Sequence, residues 1–126
     1  MTVLGIGIDA TDIPRVSALV AKYGDRFLRR VFTDGEIAYC TRHRDPTPHL
    51  AGRFAAKEAA MKSLGTGNAE GLLWTDVVVV RTAGPPRLHL HGAAADRAAA
   101  MRVRHSFLTI THADAIAVAQ VMLMGG

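Results

Sequence analysis

The segment TPHLAGRFAAKEAAMKSLG, residues 47–65, constrains the fold more than any other stretch, because both of its ends are marked. Thr47 is a capping residue set before a proline that suits a first helical turn, and Gly65 is a normal C-terminal stop. A helix from about Thr47 to Leu64 is predicted, and the remaining elements must be ones that pack with helices.

Val3 to Ile8 is apolar on both parities and reads as a short buried strand ending at Asp9. In the following TDIP, Thr11 or Asp12 can cap a helix that takes Pro14 in its first turn. That helix should place Val16, Leu19, Val20, Tyr23 and Phe27 on one face, with Arg15, Lys22, Arg26 and Arg29 along a basic flank. Residues 33–48 contain Gly35, Pro46 and Pro48 and leave room for a short helix over Glu36 to Arg42. After the loop GTGNAEG, the runs TDVVVVRT and RLHLH read as a hairpin turned by AGPP. AAADRAAAMR is a short alanine-rich helix, and SFLTIT and AIAVAQVML form a closing pair of strands joined by HADA. The order β-α-α-β-β-α-β-β, without internal repeat or linker, specifies an α+β fold with helices packed on a mainly antiparallel sheet. One domain over residues 1–126 is expected.

At 126 residues the chain is short for an enzyme that must surround a nucleotide-sized ligand alone, so a site shared between subunits is expected. Lys and Arg total 15 against 11 Asp and Glu, giving +4, so the surface should attract anions: nucleotides, nucleic acid or an acidic protein. Aromatic residues are only 6% of the chain, without the interleaving that stacks bases, which argues against nucleic acid. The single cysteine, Cys40, excludes an internal disulfide framework and any CxxC metal site. Neither a signal sequence nor a long apolar window is present, so a cytoplasmic protein with no membrane partner is expected.

GIGIDA, residues 5–10, formally matches the GxGxxA form of the dinucleotide fingerprint. The fingerprint needs its glycines in the strand-to-helix turn, whereas Gly5 and Gly7 lie inside the strand and Asp9 would repel phosphate. Asp9 can instead cap the next helix or bind a hard cation. Glu58 lies one helical turn before Lys62, which a surface ion pair of about 0.3–0.5 kcal/mol would explain. The same carboxylate amid Arg53, Lys57 and Lys62 would also suit a pyrophosphate bridged by Mg²⁺. Spacing alone does not choose. His89 and His91 share a strand parity, but no third metal ligand stands near them in sequence.

The blocks GIGIDATDIPRV and AGRFAAKEAAMKSLGTG resemble, in order and spacing, the two signatures of the AcpS-type 4′-phosphopantetheinyl transferases: a G(I/V)D block and a downstream (F/W)xxKExxxK block. GPPRL and TITHADAIAVAQV extend the resemblance over most of the chain, with residues 33–48 matching least. It implies the 4′-phosphopantetheinyl transferase fold and Mg²⁺-dependent transfer of 4′-phosphopantetheine from coenzyme A to a serine of an apo acyl carrier protein. Adenosine 3′,5′-bisphosphate would leave, and the holo carrier would serve fatty acid or polyketide synthesis. It further implies Asp9 and Glu58 as metal ligands, Lys62 at the leaving group, and Glu58 or a metal-held water as proton acceptor. Arg53, Lys57, Lys62, Gly65, Pro86 and a histidine of the penultimate strand would bind coenzyme A, at sites between the subunits of a homotrimer. Arg15, Lys22, Arg26 and Arg29 would receive the acidic carrier protein. The family commonly reads HVSxSH or HVSxTH where this chain has FLTITH, which sets Phe107 in place of the first histidine. His105, two residues earlier and on the same strand parity, is the candidate replacement, while His112 matches the later histidine.

Overall fold

The computed structural model describes residues 1–66 and 71–126, so part of the loop GTGNAEG lies outside the described residues. The elements run β1 (Thr2–Asp12), α1 (Ile13–Tyr23), α2 (Asp25–Val31), α3 (Asp34–Thr41), α4 (Thr47–Leu64), β2 (Val77–Val80), β3 (Arg87–Leu90), α5 (Gly92–Ala100), β4 (Val103–Ala113) and β5 (Ile116–Gly125). A short 3₁₀ turn, Trp74–Asp76, precedes β2. β1, β5 and β4 form an antiparallel sheet in that order, and β2 pairs with β3 in a second, two-stranded one. No helix of the described residues is long and apolar enough to cross a membrane.

The order differs from the expected one in its helices. The first predicted helix breaks at Gly24, whose φ of 54° is a conformation glycine adopts readily, so Phe27, Arg26 and Arg29 lie on a separate helix, α2. The undecided stretch contains α3, which is closed by a full capping box: the Glu36 N–H donates to the Thr33 hydroxyl and the Thr33 N–H to the Glu36 carboxylate.

Helix α4 lies across one face of the three-stranded sheet. Ala55, Ala56, Ala59 and Ala60 meet Leu108 of β4 and Ala119, Val121 and Leu123 of β5 in the larger core, and small side chains allow that close approach. A second core gathers Val16, Val31, Phe32, Cys40, Leu50 and Ala51 beneath α1 to α3. Cys40 is wholly buried, and burial pushes its thiol up to about 11, so it is an unreactive packing residue.

β1 corrects the expectation of a strand buried on both faces. Gly5, Gly7, Asp9 and Thr11 face α4, whereas Val3, Ile6 and Ile8 point away from it, 47%, 54% and 58% exposed. The strand also continues to Asp12, so Asp9 sits within it rather than at its end. Asp12 occupies the cap position of α1 but makes no side-chain cap bond, so neither Asp9 nor Asp12 caps that helix.

Candidate active site

A Cβ on Gly7 would overlap the carbonyl of Ala59, and one on Gly5 the carbonyl of Ser63. Two residues of strand advance about 6.8 Å and one helical turn about 5.4 Å, so the two glycines keep step with successive turns of α4. The glycines of GIGID are thus contact points for a helix backbone, and they bring the next residue of the same face, Asp9, against the charged edge of α4.

There the Lys62 ammonium donates to Asp9 Oδ1 at 2.8 Å and to the Ile8 carbonyl at 3.1 Å. Lys62 therefore bonds β1 rather than forming the i,i+4 pair with Glu58. Burial, and then the Asp9 carboxylate, push the Glu58 carboxyl above its ordinary range, while Lys62 and Arg15 pull it down. The hydrogen bond to Asp9 raises Lys62 in turn. Three elements, β1, α4 and α1, so converge two carboxylates and two cations at one point. The donor set fits Mg²⁺, which takes one or two carboxylates and completes its shell with water and phosphate oxygens. Among the described residues no cluster of three or more His, Cys, Asp or Glu side chains forms a protein-only cage.

Lys57 does not join this group, contrary to its expected phosphate contact. Its ammonium is wholly buried on another side of α4, paired with Glu36 Oε1 at 2.8 Å and donating to the carbonyls of Trp74 and Val77. Glu36 Oε2 accepts the Val79 N–H at 2.9 Å, so the pair ties α3, α4 and β2 together. Burial lowers the Lys57 pKa and Glu36 opposes the shift.

The other expected coenzyme contacts divide. Arg53 and Pro86 share a cavity of about 260 Å³ with Tyr39, His49, Arg81 and His112. Arg53 is 5% exposed, its guanidinium lies 4.0 Å from the Tyr39 ring centroid, and its buried Nε has no hydrogen-bond partner among the described residues. Arg53 stands nine residues before Lys62 on α4, about 13 Å along the axis, so this cavity is separate from the Asp9 group. His105 is not part of it. It pairs with Met124 on the sheet face turned away from α4, as Phe107 does with Met122, whereas His112 pairs with the buried Ala117 on the α4 face. Within one chain His105, the residue expected to replace a missing histidine, thus lies apart from Arg53 and Pro86, and His112 is the penultimate-strand histidine that lines their cavity. His49 and Arg81 were not singled out from sequence. Gly65 closes α4 with a φ of 75°, beside Arg97, whose Nε donates to the Leu64 carbonyl at 2.9 Å. His89 lies on β3, while His91 caps α5, so the two do not share a strand face.

Of the basic flank, Arg15 and Lys22 lie on α1, and Arg26 and Arg29 on α2. Arg29 pairs with Asp34 at 3.0 Å on the surface. Arg26, Leu19, Tyr23, Phe27, Phe54 and Trp74 border an open groove of about 750 Å³, a mixed apolar and cationic surface.

The helix laid on a three-stranded antiparallel sheet makes this a small α+β domain with two carboxylates and a lysine at the helix–sheet edge. The family model of the 4′-phosphopantetheinyl transferase superfamily matches residues 5–120, and the chain belongs to that family. Within it the chain is an enzyme of the AcpS type. It is 46% identical over 126 residues to the holo-[acyl-carrier-protein] synthase of Anaeromyxobacter dehalogenans, an alignment covering 98% of this chain and 97% of that one. The crystal structure of the Neisseria meningitidis synthase superposes with a TM-score of 0.87 at 27% identity, covering 98% of this chain and 99% of that one. The Bacillus anthracis synthase, solved in complex with CoA (3′,5′-ADP), gives 0.82 at 30% identity over 100% of both chains.

Proposed function

We propose that the chain transfers 4′-phosphopantetheine from coenzyme A to a serine of an apo acyl carrier protein, releasing adenosine 3′,5′-bisphosphate. The observation that carries this reading is the convergence of Asp9, Glu58 and Lys62 from two elements, with Arg15 close enough to act on Glu58. A Mg²⁺ ion held by Asp9 and Glu58 would neutralise charge on the pyrophosphate of coenzyme A. Lys62, 56% exposed and already held at Asp9, is placed to stabilise the departing phosphate. Glu58, its carboxyl raised above its ordinary value by burial, or a water held by the metal beside it, is suited to accept the serine proton. Arg53, Arg81 and His112 would hold the adenosine 3′,5′-bisphosphate end, where the unpartnered Arg53 Nε could donate to a phosphate oxygen.

Two features support a homotrimer with sites between subunits. The residues suited to the two ends of coenzyme A do not adjoin within one chain, and the sheet face away from α4 leaves Ile6, Ile8, Phe107 and Ile116 between 46% and 58% exposed. Apolar side chains clustered on one face need a cover. Arg26 borders the apolar groove of α1 and α2, Arg15 and Lys22 stand on α1, and together these cations suit an acidic carrier helix.

The test is intact mass spectrometry of a panel of apo carrier proteins incubated with the enzyme, coenzyme A and Mg²⁺. One phosphopantetheine added at the serine is expected, and no mass gain on any carrier would sink the reading. Asp9→Ala and Glu58→Ala should abolish the gain while both proteins stay folded.

A further inference from the structure

We propose that His49, with His43 stacked on it, is a phosphate-binding residue of the Arg53 cavity and takes up a proton when a phosphate monoester enters. The inference rests on the reading of that cavity as the nucleotide end of the coenzyme A site. The His43 and His49 ring centroids lie 3.6 Å apart at 24°, a stacking that two imidazolium ions oppose by direct charge repulsion. On its other side His49 meets His112 of β4 edge-on at 6.1 Å and Tyr39 of α3 at 6.4 Å. Arg53 from the same helix and Arg81 beyond β2 line the cavity with it, and Arg42 lies 5.1 Å from the Tyr39 ring. Asp45, in the turn before α4, is the acidic group acting on His49.

His43 is fixed in one tautomer. Its Nδ1 approaches the carbonyls of Tyr39 at 3.0 Å and Cys40 at 3.3 Å, and since carbonyls only accept, Nδ1 carries the hydrogen. In the free enzyme, burial first, and then His43, Arg53 and His112, hold His49 below its ordinary 6.5 against the pull of Asp45, so it stands neutral at neutral pH. A phosphate dianion among these cations reverses the sign of the local field. It stabilises imidazolium, so binding draws a proton from solvent. The sign of the coupling follows: affinity climbs as pH falls through the bound-state pKa and levels off below the lowered free-state value. One coupled proton gives at most about tenfold per pH unit.

Titration calorimetry with adenosine 3′,5′-bisphosphate from about pH 7 to 8.5 stays a unit or more above the second phosphate pKa near 6, where each phosphate is about nine-tenths or more dianionic. Repeating it in two buffers of different ionisation enthalpy counts the protons. The wild type should take up a fraction of a proton and bind more tightly at the acid end. His49→Gln should bind with a flatter profile and little uptake, and His43→Gln should retain uptake, because removing the stacked ring eases protonation of His49. Binding with no proton uptake in the wild type, or a His49→Gln profile identical to it, would overturn the inference alone. Absence of bisphosphate binding at every pH would overturn the reading of the cavity together with it.

Discussion

Helix α4 carries two lysines five residues apart, and each meets a carboxylate at 2.8 Å, yet the two pairs live in different surroundings. Lys57 and Glu36 are 0% and 1% exposed, and the ammonium bonds one carboxylate and the carbonyls of Trp74 and Val77. Lys62 and Asp9 are 56% and 11% exposed, at the edge of the helix–sheet contact. A charge pair out of water cannot exchange partners without a large desolvation cost, so the first pair serves as a fixed cross-link. The second, open to solvent and screened by it, can release either partner to an incoming ion at little cost, which a binding site requires.

Breaking the buried pair should have the largest effect. Lys57→Ala leaves Glu36 charged and buried, and should cost about 3–5 kcal/mol in urea unfolding. The double variant Glu36→Gln/Lys57→Met should recover much of that loss, and a single-variant loss under about 1 kcal/mol would erase the contrast. At the open pair, Lys62→Ala should lower carrier-protein turnover by about 10²–10³-fold with the melting temperature nearly unchanged. If that variant melts far below wild type, Lys62 is structural after all.

A smaller effect sharpens the comparison through pH. The Glu58 pKa is raised in the folded state, so its ionised form opposes folding above that pKa, and the stabilising protonated form persists only below it. Glu58→Gln should therefore raise the melting temperature at neutral pH by roughly 1–3 °C, while turnover is lost. The gain should shrink as pH falls from neutral toward the ordinary carboxyl value of 4.5 and vanish below it, and scanning calorimetry at several pH values checks it. Smallest of all, Arg15→Gln removes a group that holds Glu58 down, so the acid limb of the pH–rate profile should move up by about a few tenths of a unit. A shift toward lower pH would contradict the placement of Arg15 at this site.

Much of the fold was legible. The long helix ends at Leu64 with Gly65 as its cap, both hairpins form where the turn residues stand, and the α+β class holds. Two helix boundaries escaped for local reasons: Gly24 lies inside an otherwise continuous periodic pattern, and the capping box Thr33–Glu36 sits in a stretch crowded with glycine and proline. The box is a readable signal, and T-x-x-E could have moved the start of the short helix allowed over Glu36 to Arg42 back to Asp34. The burial of β1 was misread because a run apolar on both parities does not say what covers each face.

The sequence by itself determined the family, the reaction class that the resemblance of the paired GIGID and KEAAMK blocks implies, and the helix on which Arg53, Lys57, Glu58 and Lys62 stand. The helix is a property of local pattern along one chain, whereas the family and reaction class came from the resemblance of those blocks to known signatures. Tertiary structure decided the rest: that Lys57 turns inward to Glu36, that Lys62 reaches Asp9 across 53 positions, and that His112 rather than His105 shares a cavity with Arg53. The reason is geometric. A 3.6-residue helix and a two-residue strand repeat each define faces, but which face meets which partner is set only when distant elements pack.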